Sequence, residues 1–371
     1  MGASGPTISR EALQGLLDRG APVTVLDVRP AAERREWALP GSLHVDAYQA
    51  LRNGDPAALA DFHAPDGGVV VTVCAAGKTS LLAAERLRAR GIDAVSLEGG
   101  MRAWSLAWNT AEVPRSGIAA TILQVRRTGK GCLSYLIGSN GEAAVVDASL
   151  DPEVYLELVR RRGWRIHFVL ETHVHADHVS RARALAANTG ATLLLPATDR
   201  VSFAHTPLHD GDTVPVGAAR LQVLQTPGHT MESACYLLDE RALFTGDTLF
   251  LAGVGRPDLE ATPAETQVRA RLLHQSLHRL LELPGDTLIL PCHTSTPIAF
   301  DGRPLAALLR EVRERTELLS VDEARFVSTI LGRIPATPPN HHRTVALNEA
   351  GMLPEGDPTE LEAGANRCAV A

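Results

Sequence analysis

The stretch Thr172-His173-Val174-His175-Ala176-Asp177-His178, closing the apolar run HFVLE at residues 167–171, decides how the larger part of the chain is read. It sets three imidazoles and one carboxylate within residues 173–178, at what reads as the end of a strand and the start of a helix, where such side chains converge on one point. Few structural needs produce that cluster, so metal binding is the reading. Further on, LQVLQT ends in Pro227-Gly228-His229-Thr230, ALFT in Gly246-Asp247-Thr248, and TLILP in Cys292-His293-Thr294. Each apolar run delivers a ligand-type residue at its end. Loops at one edge of a sandwich meet in space although distant in sequence, because rigid strands stand behind them. A histidine such as His229 or His293, taken alone, would read as an ordinary surface or core residue; His44, His63, His205, His209, His341 and His342 lack any such context and keep that plain reading.

Around this cluster the chain divides in two. From about Ile8 to Trp108, apolar runs (VTVLDV, VVVTV, AVSLEGG) alternate with helical patterns such as LLAAERLRAR, which predicts a parallel sheet with crossover helices. The polar stretch NTAEVPRSG, from Asn109 to Gly117, is punctuated by Pro114 and Gly117 and reads as a connection. Beyond it, ILQVRRTGKGCLSYLIGSNGEAAVVDA reads as strands with a tight SNG hairpin turn, and the remaining strands and helices predict a mixed α/β domain. The expected boundaries are a first domain at 1–112, a linker at 113–118, a metal domain at 119–340 and a tail at 341–371. The tail, counted from Pro335 rich in Pro, Asn and Gly, is expected to wrap the surface without a core of its own.

The chain has 371 residues, 45% of them hydrophobic, enough for two domains that each bury a core. A net charge of -7, without long runs of like charge, gives no electrostatic reason to expect nucleic acid or an anionic membrane, so small molecules are the expected partners. No apolar stretch reaches the length of a bilayer span, and MGASGPTISREALQ lacks the apolar core of a secretory signal; a cytoplasmic location is expected. Cys74, Cys132, Cys235, Cys292 and Cys368 include no CxxC pair, which disfavours a disulfide framework or a cysteine-rich zinc module. Cysteine chemistry is left to individual thiols.

HxHxDH, PGHT, TGDTLF and the strand-end His293 together resemble the metallo-β-lactamase superfamily, over about Ala119 to Pro297. The resemblance implies an αββα sandwich with a metal site on one edge, a frame that hosts hydrolases, oxidoreductases and dioxygenases alike. Within it, residues 244–250 (FTGDTLF), 253–259 (GVGRPDL) and 171–178 (ETHVHADH) look like the persulfide dioxygenase branch, near glyoxalase II. That branch implies a mononuclear Fe(II) on His173, His229 and Asp247, two histidines and a carboxylate that leave coordination positions open. His175, Asp177, His178 and His293 would then orient ligands and hold ordered water. The competing implication, from glyoxalase II, makes those four residues ligands too, with two Zn ions bridged by Asp247 and a thioester as substrate. Arg256, in the Gly-rich loop after Asp247, could pair with a substrate carboxylate or with negative charge developing on sulfur; its plain alternative is a loop ion pair with Asp258. Where glutathione-using persulfide dioxygenases carry a tyrosine after the last histidine, residues 293–297 read HTSTP, which points away from glutathione as the carrier thiol.

In the first part, VVVTV ends at Cys74-Ala75-Ala76-Gly77-Lys78-Thr79-Ser80 before a helical pattern. A thiol at a strand-to-helix turn faces backbone N–H groups and the positive end of a helix dipole; both favour thiolate, and the loop of Gly77, Lys78 and Thr79 can cradle an anionic persulfide. Position alone is equally that of a buried core cysteine. Residues 26–29 (LDVR), Glu36, residues 39–42 (LPGS) and residues 97–104 (LEGGMRAW) make this part resemble a single rhodanese domain over about Ile8 to Asn109. The resemblance implies that Cys74 carries sulfane sulfur as a persulfide, although Thr79 stands where the family usually has arginine, with Lys78 beside it. Together the two resemblances imply oxidation of a low-molecular-weight thiol persulfide by O2 to sulfite and thiol, coupled to sulfur transfer by Cys74 that yields thiosulfate. A dinuclear zinc hydrolase and a non-catalytic persulfide sensor are the alternatives, and a homodimer is within expectation.

Overall fold

Five parallel strands make the first sheet, in the order Thr7–Ile8, Ala94–Leu97, Val69–Val73, Val23–Asp27, Leu43–His44, in a computed structural model that describes residues 6–65, 67–114 and 116–371. Its central strand VVVTV is an unbroken apolar run because a parallel sheet is covered on both faces. Leu26, Val28, Ala83 and Leu87 pack on one face, and Val25, Val71, Val73, Met101 and Trp104 on the other. The alternating pattern in the sequence predicts this arrangement.

The second domain is two sheets packed face to face. Seven strands run in the order Thr206–Leu208, Thr192–Pro196, Arg165–Leu170, Glu142–Val146, Cys132–Ser139, Thr121–Arg127, Asn109–Val113. The other sheet orders Thr213–Val216, Ala219–Gln225, Ala234–Leu238, Ala242–Gly246, Leu288–Pro291, Ala307–Leu308. Tyr135, Ile137 and Val146 of one sheet meet Val223, Tyr236 and Phe244 of the other in one buried cluster. The outer faces are covered by the helices Pro152–Arg162 and Ala182–Thr189 on one side and Pro263–Leu280 and Glu323–Gly332 on the other. Helix, sheet, sheet and helix form the αββα order that the resemblance implies. The SNG segment is the expected hairpin turn: Asn140 and Gly141 both have positive φ (50° and 83°), as a type I′ turn requires between the twisted strands that end at Ser139 and begin at Glu142.

Two stretches differ from the sequence reading. Half of the expected connection is a strand, because Asn109–Val113 pairs antiparallel with Thr121–Arg127 at the sheet edge; polar composition hid this, since an edge strand needs only one buried face. Residue 115, within the linker expected at 113–118, lies outside the described residues. The tail does more than wrap the surface. Its strand Ala369–Val370 pairs with Gly253–Gly255, and Glu362, Asn366 and Cys368 are buried.

The domains meet along a tight seam. Trp37 Nε1 donates to the Gly129 carbonyl (2.9 Å), and Thr128 Oγ1 donates to Gln14 Oε1 (2.6 Å). A Cβ on Gly129 would lie 1.7 Å from the Trp104 carbonyl oxygen, so only glycine lets the two backbones touch there.

Candidate metal centre

The ligand-type residues sit where strands of both sheets end on one edge. Strand Ala242–Gly246 runs parallel to Leu288–Pro291, and both share their direction with Ala219–Gln225 through the antiparallel strand between them. Asp247, His293 and His229 therefore leave the sheet at the same end. The HxHxDH cluster comes from the facing sheet: it follows Arg165–Leu170 and occupies a loop, with the helix starting only at Ala182. The cluster therefore does not stand at the start of a helix, as the sequence predicts it would. An irregular backbone turns successive histidines toward one point, which a helix would spread around its axis.

All seven residues are buried. His173, His229 and Asp247 form one group whose donor atoms lie within 4.8 Å of one another; Asp247 Oδ2 stands 3.7 Å from His173 Nε2 and 3.5 Å from His229 Nε2. Asp177, His178 and His293 form a second group at the same spacing, joined by Cys132. Asp247 reaches both, because its Oδ1 is 2.6 Å from His293 Nδ1. His173 Nε2, His175 Nδ1, His178 Nε2, His293 Nε2 and Asp247 Oδ2 are buried with no hydrogen-bond partner among the described residues. His293 Nε2 does lie 2.7 Å from Asp177 Oδ2, off the line a hydrogen bond needs; two atoms turned toward a shared third point stand this way. Buried polar atoms left unpaired are costly, and these converge, so the donor set fits a metal ion.

Neighbouring groups fix the rings. Thr172 Oγ1 lies 2.9 Å from His173 Nδ1, and the Arg256 carbonyl lies 2.7 Å from His229 Nδ1. Glu171 and Asp147 hold His175 Nε2 at 2.7 and 3.3 Å, which leaves Nδ1 turned to the pocket. Asp147 also accepts from the Thr172 N–H (2.7 Å) and adopts a left-handed φ of 55°, a strained conformation kept at a site that uses it. The tail closes the support: Asn348 Nδ2 donates to the His175 and His178 carbonyls (2.8 and 2.9 Å), and Asn366 Nδ2 to Asp177 Oδ2 (3.1 Å). None of Glu171, Asp147, Asn348 and Asn366 was singled out from sequence; only Asp147, ending the run AAVVD at a strand end, carried the signal that marks the other ligand strands.

Burial and charge divide the site. Burial pushes the His173 and His229 imidazoles below their usual range, helped for His173 by the neighbouring His175. Burial opposes protonation of His293 as well, yet Asp177 and Asp247 on either side hold it well above. Burial would raise the Asp247 carboxyl, but His293, His173 and His229 keep it far below the carboxylate range. An ionised carboxylate facing two neutral imidazoles is the state a divalent cation needs. Two thiols share the pocket: Cys132 Sγ is 3.5 Å from Asp177 Oδ2, and Cys292 Sγ is 2.9 Å from Asp247 Oδ1. Scattered spacing in the sequence concealed that convergence.

Arg256 does not occupy the role of substrate contact. Its side chain is fully buried, makes two 2.7 Å bonds to Asp258, and donates to the Arg367 carbonyl (3.1 Å). It anchors the tail instead. Gly255 beside it is packed against the centre: a Cβ there would lie 2.1 Å from the Asp247 carbonyl oxygen and 2.9 Å from His229 Cβ. Gly255→Ala is expected to displace both residues and weaken metal binding by roughly 10–100-fold, the effect of disturbing a ligand's support; a competition titration against a chelator of known affinity measures it.

In the first domain, Cys74 ends its strand beneath the loop, buried, and accepts from Ser80 Oγ at 3.3 Å. The helix Lys78–Ala89 starts four residues on, with Gly77 in the left-handed region (φ 81°), Lys78 exposed and Thr79 buried. The EGG segment holds this loop, since Met101 N donates to the Cys74 carbonyl (2.8 Å) and Arg102 N to that of Ala75 (3.0 Å). A side chain on Gly100 would strike the Cys74 carbonyl at 2.3 Å. The structure thus brings Cys74, Gly77, Lys78 and Thr79 into one loop, separate from the metal pocket.

Comparison with known proteins agrees with this division. The family model described as the metallo-β-lactamase superfamily matches residues 127–293, and that of the rhodanese-like domain matches residues 9–107. A hydroxyacylglutathione hydrolase of Methylococcus capsulatus is 39% identical over 215 residues, 55% of this chain and 80% of the relative. One from Brucella anthropi is 34% identical over 205 residues, covering 53% and 72%. Among solved structures, a metallo-β-lactamase from Staphylococcus aureus aligns with TM-score 0.58 and 29% identity over 63% of this chain and 74% of its own. ETHE1 from Myxococcus xanthus aligns with TM-score 0.53 and 28% identity over 66% and 99%.

Proposed function

The chain belongs to the metallo-β-lactamase superfamily and carries a rhodanese-like domain ahead of its metal domain, and from this premise we propose that it oxidises a low-molecular-weight thiol persulfide. The net change is thiol persulfide, O2 and water giving thiol, sulfite and two protons: the sulfur–sulfur bond breaks, the terminal sulfur is oxidised, and O2 is reduced. The observation that carries this reading is where the sulfur-carrier domain packs. Its segment Arg34–Ala38 lines the same cleft as Thr294–Ile298, the segment that follows His293 of the metal centre. A sulfane-sulfur carrier beside the metal centre fits a persulfide substrate better than an acyl thiol.

His173, His229 and Asp247 would hold one ion, and ferrous iron there supplies the one-electron chemistry by which O2 reacts with sulfur. His175 is oriented by Glu171 and Asp147, and Asn366 holds Asp177 against His178 and His293. Cys74, in its own loop, would take sulfane sulfur as a persulfide and pass it to sulfite, giving thiosulfate and the free Cys74 thiol. Cys74→Ser is expected to bring thiosulfate formation below detection while leaving oxygen uptake within about twofold, because the nucleophile is lost and the metal ligands are untouched. Loss of both activities would contradict that division of labour.

A second reading is favoured by specific observations. His178 Nε2 and His293 Nε2 also lack partners, so with Asp177 they complete a donor set for a second ion, and the curated relatives are named hydroxyacylglutathione hydrolases. By name, those relatives support thioester hydrolysis more directly than oxidation. Their alignments cover little more than half of this chain, whereas the fused domain bears on the whole of it. An oxygen electrode separates the two: uptake that starts on adding a thiol persulfide and yields about one sulfite per O2, counted free and as thiosulfate together, supports the first, and acyl-thiol turnover without uptake supports the second.

A further inference from the structure

Cys132 opens the strand Cys132–Ser139 at the edge where the candidate ligands gather, and it is buried (1% exposed). A buried cysteine at a strand end is ordinarily a small apolar residue packed among others of its kind. The Cys132 sulfur has different company. Asp177 Oδ2 lies 3.5 Å away, and one donor atom each of Cys132, Asp177, His178 and His293 falls within 4.8 Å of the others. Asp177 Oδ1 engages His178 Nδ1 at 3.0 Å, which leaves Nε2 as the second donor of that ring; His178 Nε2 and His293 Nε2 are both buried with no hydrogen-bond partner among the described residues. Two imidazole nitrogens, a carboxylate oxygen and a thiol sulfur thus share one small space.

The backbone holds the sulfur there. Cys132 and His293 face each other in an antiparallel bridge, Leu133 N donates to the Cys292 carbonyl (2.7 Å), and Thr294 N donates to the Gly131 carbonyl (2.9 Å). Gly131, with φ of 101°, lets the two segments come this close: a Cβ there would lie 2.4 Å from the Thr294 carbonyl oxygen. Cys132 is therefore kept in register with His293. Charge and spacing agree with a ligand. A thiolate and a carboxylate bring two negative charges, which one divalent cation cancels while both imidazoles stay neutral, so the buried assembly carries no net charge. Structural zinc is four-coordinate, with bonds of about 2.3 Å to sulfur and about 2.1 Å to oxygen, which places the two donors about 3.6 Å apart in a tetrahedron. Cys132 and Asp177 stand close to that separation.

We propose that Cys132 is a metal ligand and that, with Asp177, His178 and His293, it closes a four-donor zinc site beside the group of His173, His229 and Asp247. Binding exchanges the Cys132 thiol proton for a zinc–sulfur bond, with no change of oxidation state. The thiolate selects zinc over magnesium, calcium or manganese, which prefer oxygen donors. Four protein donors leave no open position, so this ion ties the strand that Cys132 opens to the facing sheet that ends at His293 and does not itself meet substrate. The second reading above counts Asp177, His178 and His293 toward a second ion; Cys132 is the addition, and its role requires neither oxidation nor hydrolysis.

X-ray absorption at the zinc edge of the full-length wild-type protein, loaded with two zinc ions per chain, reads the bond directly. One sulfur for every two zinc ions, at about 2.3 Å, is the expected result. A shell of nitrogen and oxygen alone overturns the proposal, and so does a chain that takes up a single zinc without sulfur. Cobalt titration of the chelator-stripped protein identifies the thiol: a cobalt–thiolate bond adds an intense near-ultraviolet charge-transfer band, which should be absent from Cys132→Ser and present in Cys292→Ser. A band that survives in Cys132→Ser, or that disappears with Cys292 instead, overturns the assignment. In competition with a chelator, Cys132→Ser should bind the second zinc at least about 100-fold more weakly, beyond the roughly 10–100-fold of losing an outer partner. None of these signals needs turnover. Sulfur-bound zinc in a protein that consumes no oxygen with persulfide leaves this site standing and removes the oxidative reading; oxygen uptake by a protein whose zinc carries no sulfur does the reverse.

Discussion

Asp247→Ala is expected to empty the metal pocket. The carboxylate is the one anion of the His173, His229 and Asp247 group, and its other oxygen binds His293, so its loss touches both halves of the centre. What remains is a set of buried imidazoles facing one another; burial already drives His173 toward its neutral form, and His175 adds to the repulsion. Losing an outer partner of a ligand costs roughly 10–100-fold in metal affinity, and losing a direct anionic ligand is expected to cost more, on the order of 1,000-fold. Metal analysis of the purified variant should find little metal, with oxygen uptake on persulfide gone. Retention of a full complement of metal would refute Asp247 as a ligand. Sulfur transfer from Cys74 should survive, since the loop Cys74–Ser80 makes its contacts within the first domain.

Glu362→Gln is expected to cause the largest loss of stability. Glu362 has a fully buried carboxylate that binds Arg127 NH2 at 2.6 Å and Arg181 NH2 at 2.9 Å and accepts from Val179 N at 3.0 Å. Arg127 is equally buried, and its Nε donates to the Ser105 carbonyl of the first domain (2.6 Å). One pair thus joins the tail, the metal domain and the rhodanese-like domain. Removing one charge of a buried pair leaves the other uncompensated and costs about 3–5 kcal/mol. The thermal midpoint should fall on the order of 10 °C. Its pH dependence is distinctive. Burial would raise the Glu362 carboxyl, but Arg127 and Arg181 bring it from 4.5 down to about 2. A carboxyl depressed in the folded state stabilises fully above its unfolded value and ceases to do so as pH falls through the folded one. The stability gap between wild type and Glu362→Gln should be constant above about pH 5 and shrink between 4.5 and 2. A gap unchanged across that range in denaturant titrations would assign the effect to something other than this pair.

The candidate ligands are legible in the sequence because they stand in short local patterns. HxHxDH, PGHT and TGD each end an apolar strand, and the parallel course of those strands carries them to one edge. The residues that hold them in place were not legible. Asn348 and Asn366 are unremarkable amides in a segment with little apolar periodicity, and their contacts with the His175 and His178 carbonyls and with Asp177 span more than 160 positions of sequence. Tertiary placement alone reveals them. Arg256 was open to two readings, and Asp258 takes it because a carboxylate two residues away is always present whereas a substrate comes and goes. The strand Asn109–Val113 escaped for a related reason: a polar run becomes a strand when a neighbour offers an unpaired edge. The thiols of Cys132, on a strand of one sheet, and Cys292, just past a strand of the other, approach the two ends of the centre through topology that spacing does not encode.

The proposed reaction turns on oxygen. A single preparation, its metal counted and its Cys74 intact, should be given a thiol persulfide in air-saturated buffer and again under argon. Sulfite formation that proceeds in air with about one iron per chain and stops under argon is the predicted result. Turnover at equal rates in both, or a protein that carries two zinc ions and cleaves an acyl thiol under argon, would contradict the oxidative reading and establish a hydrolase in its place.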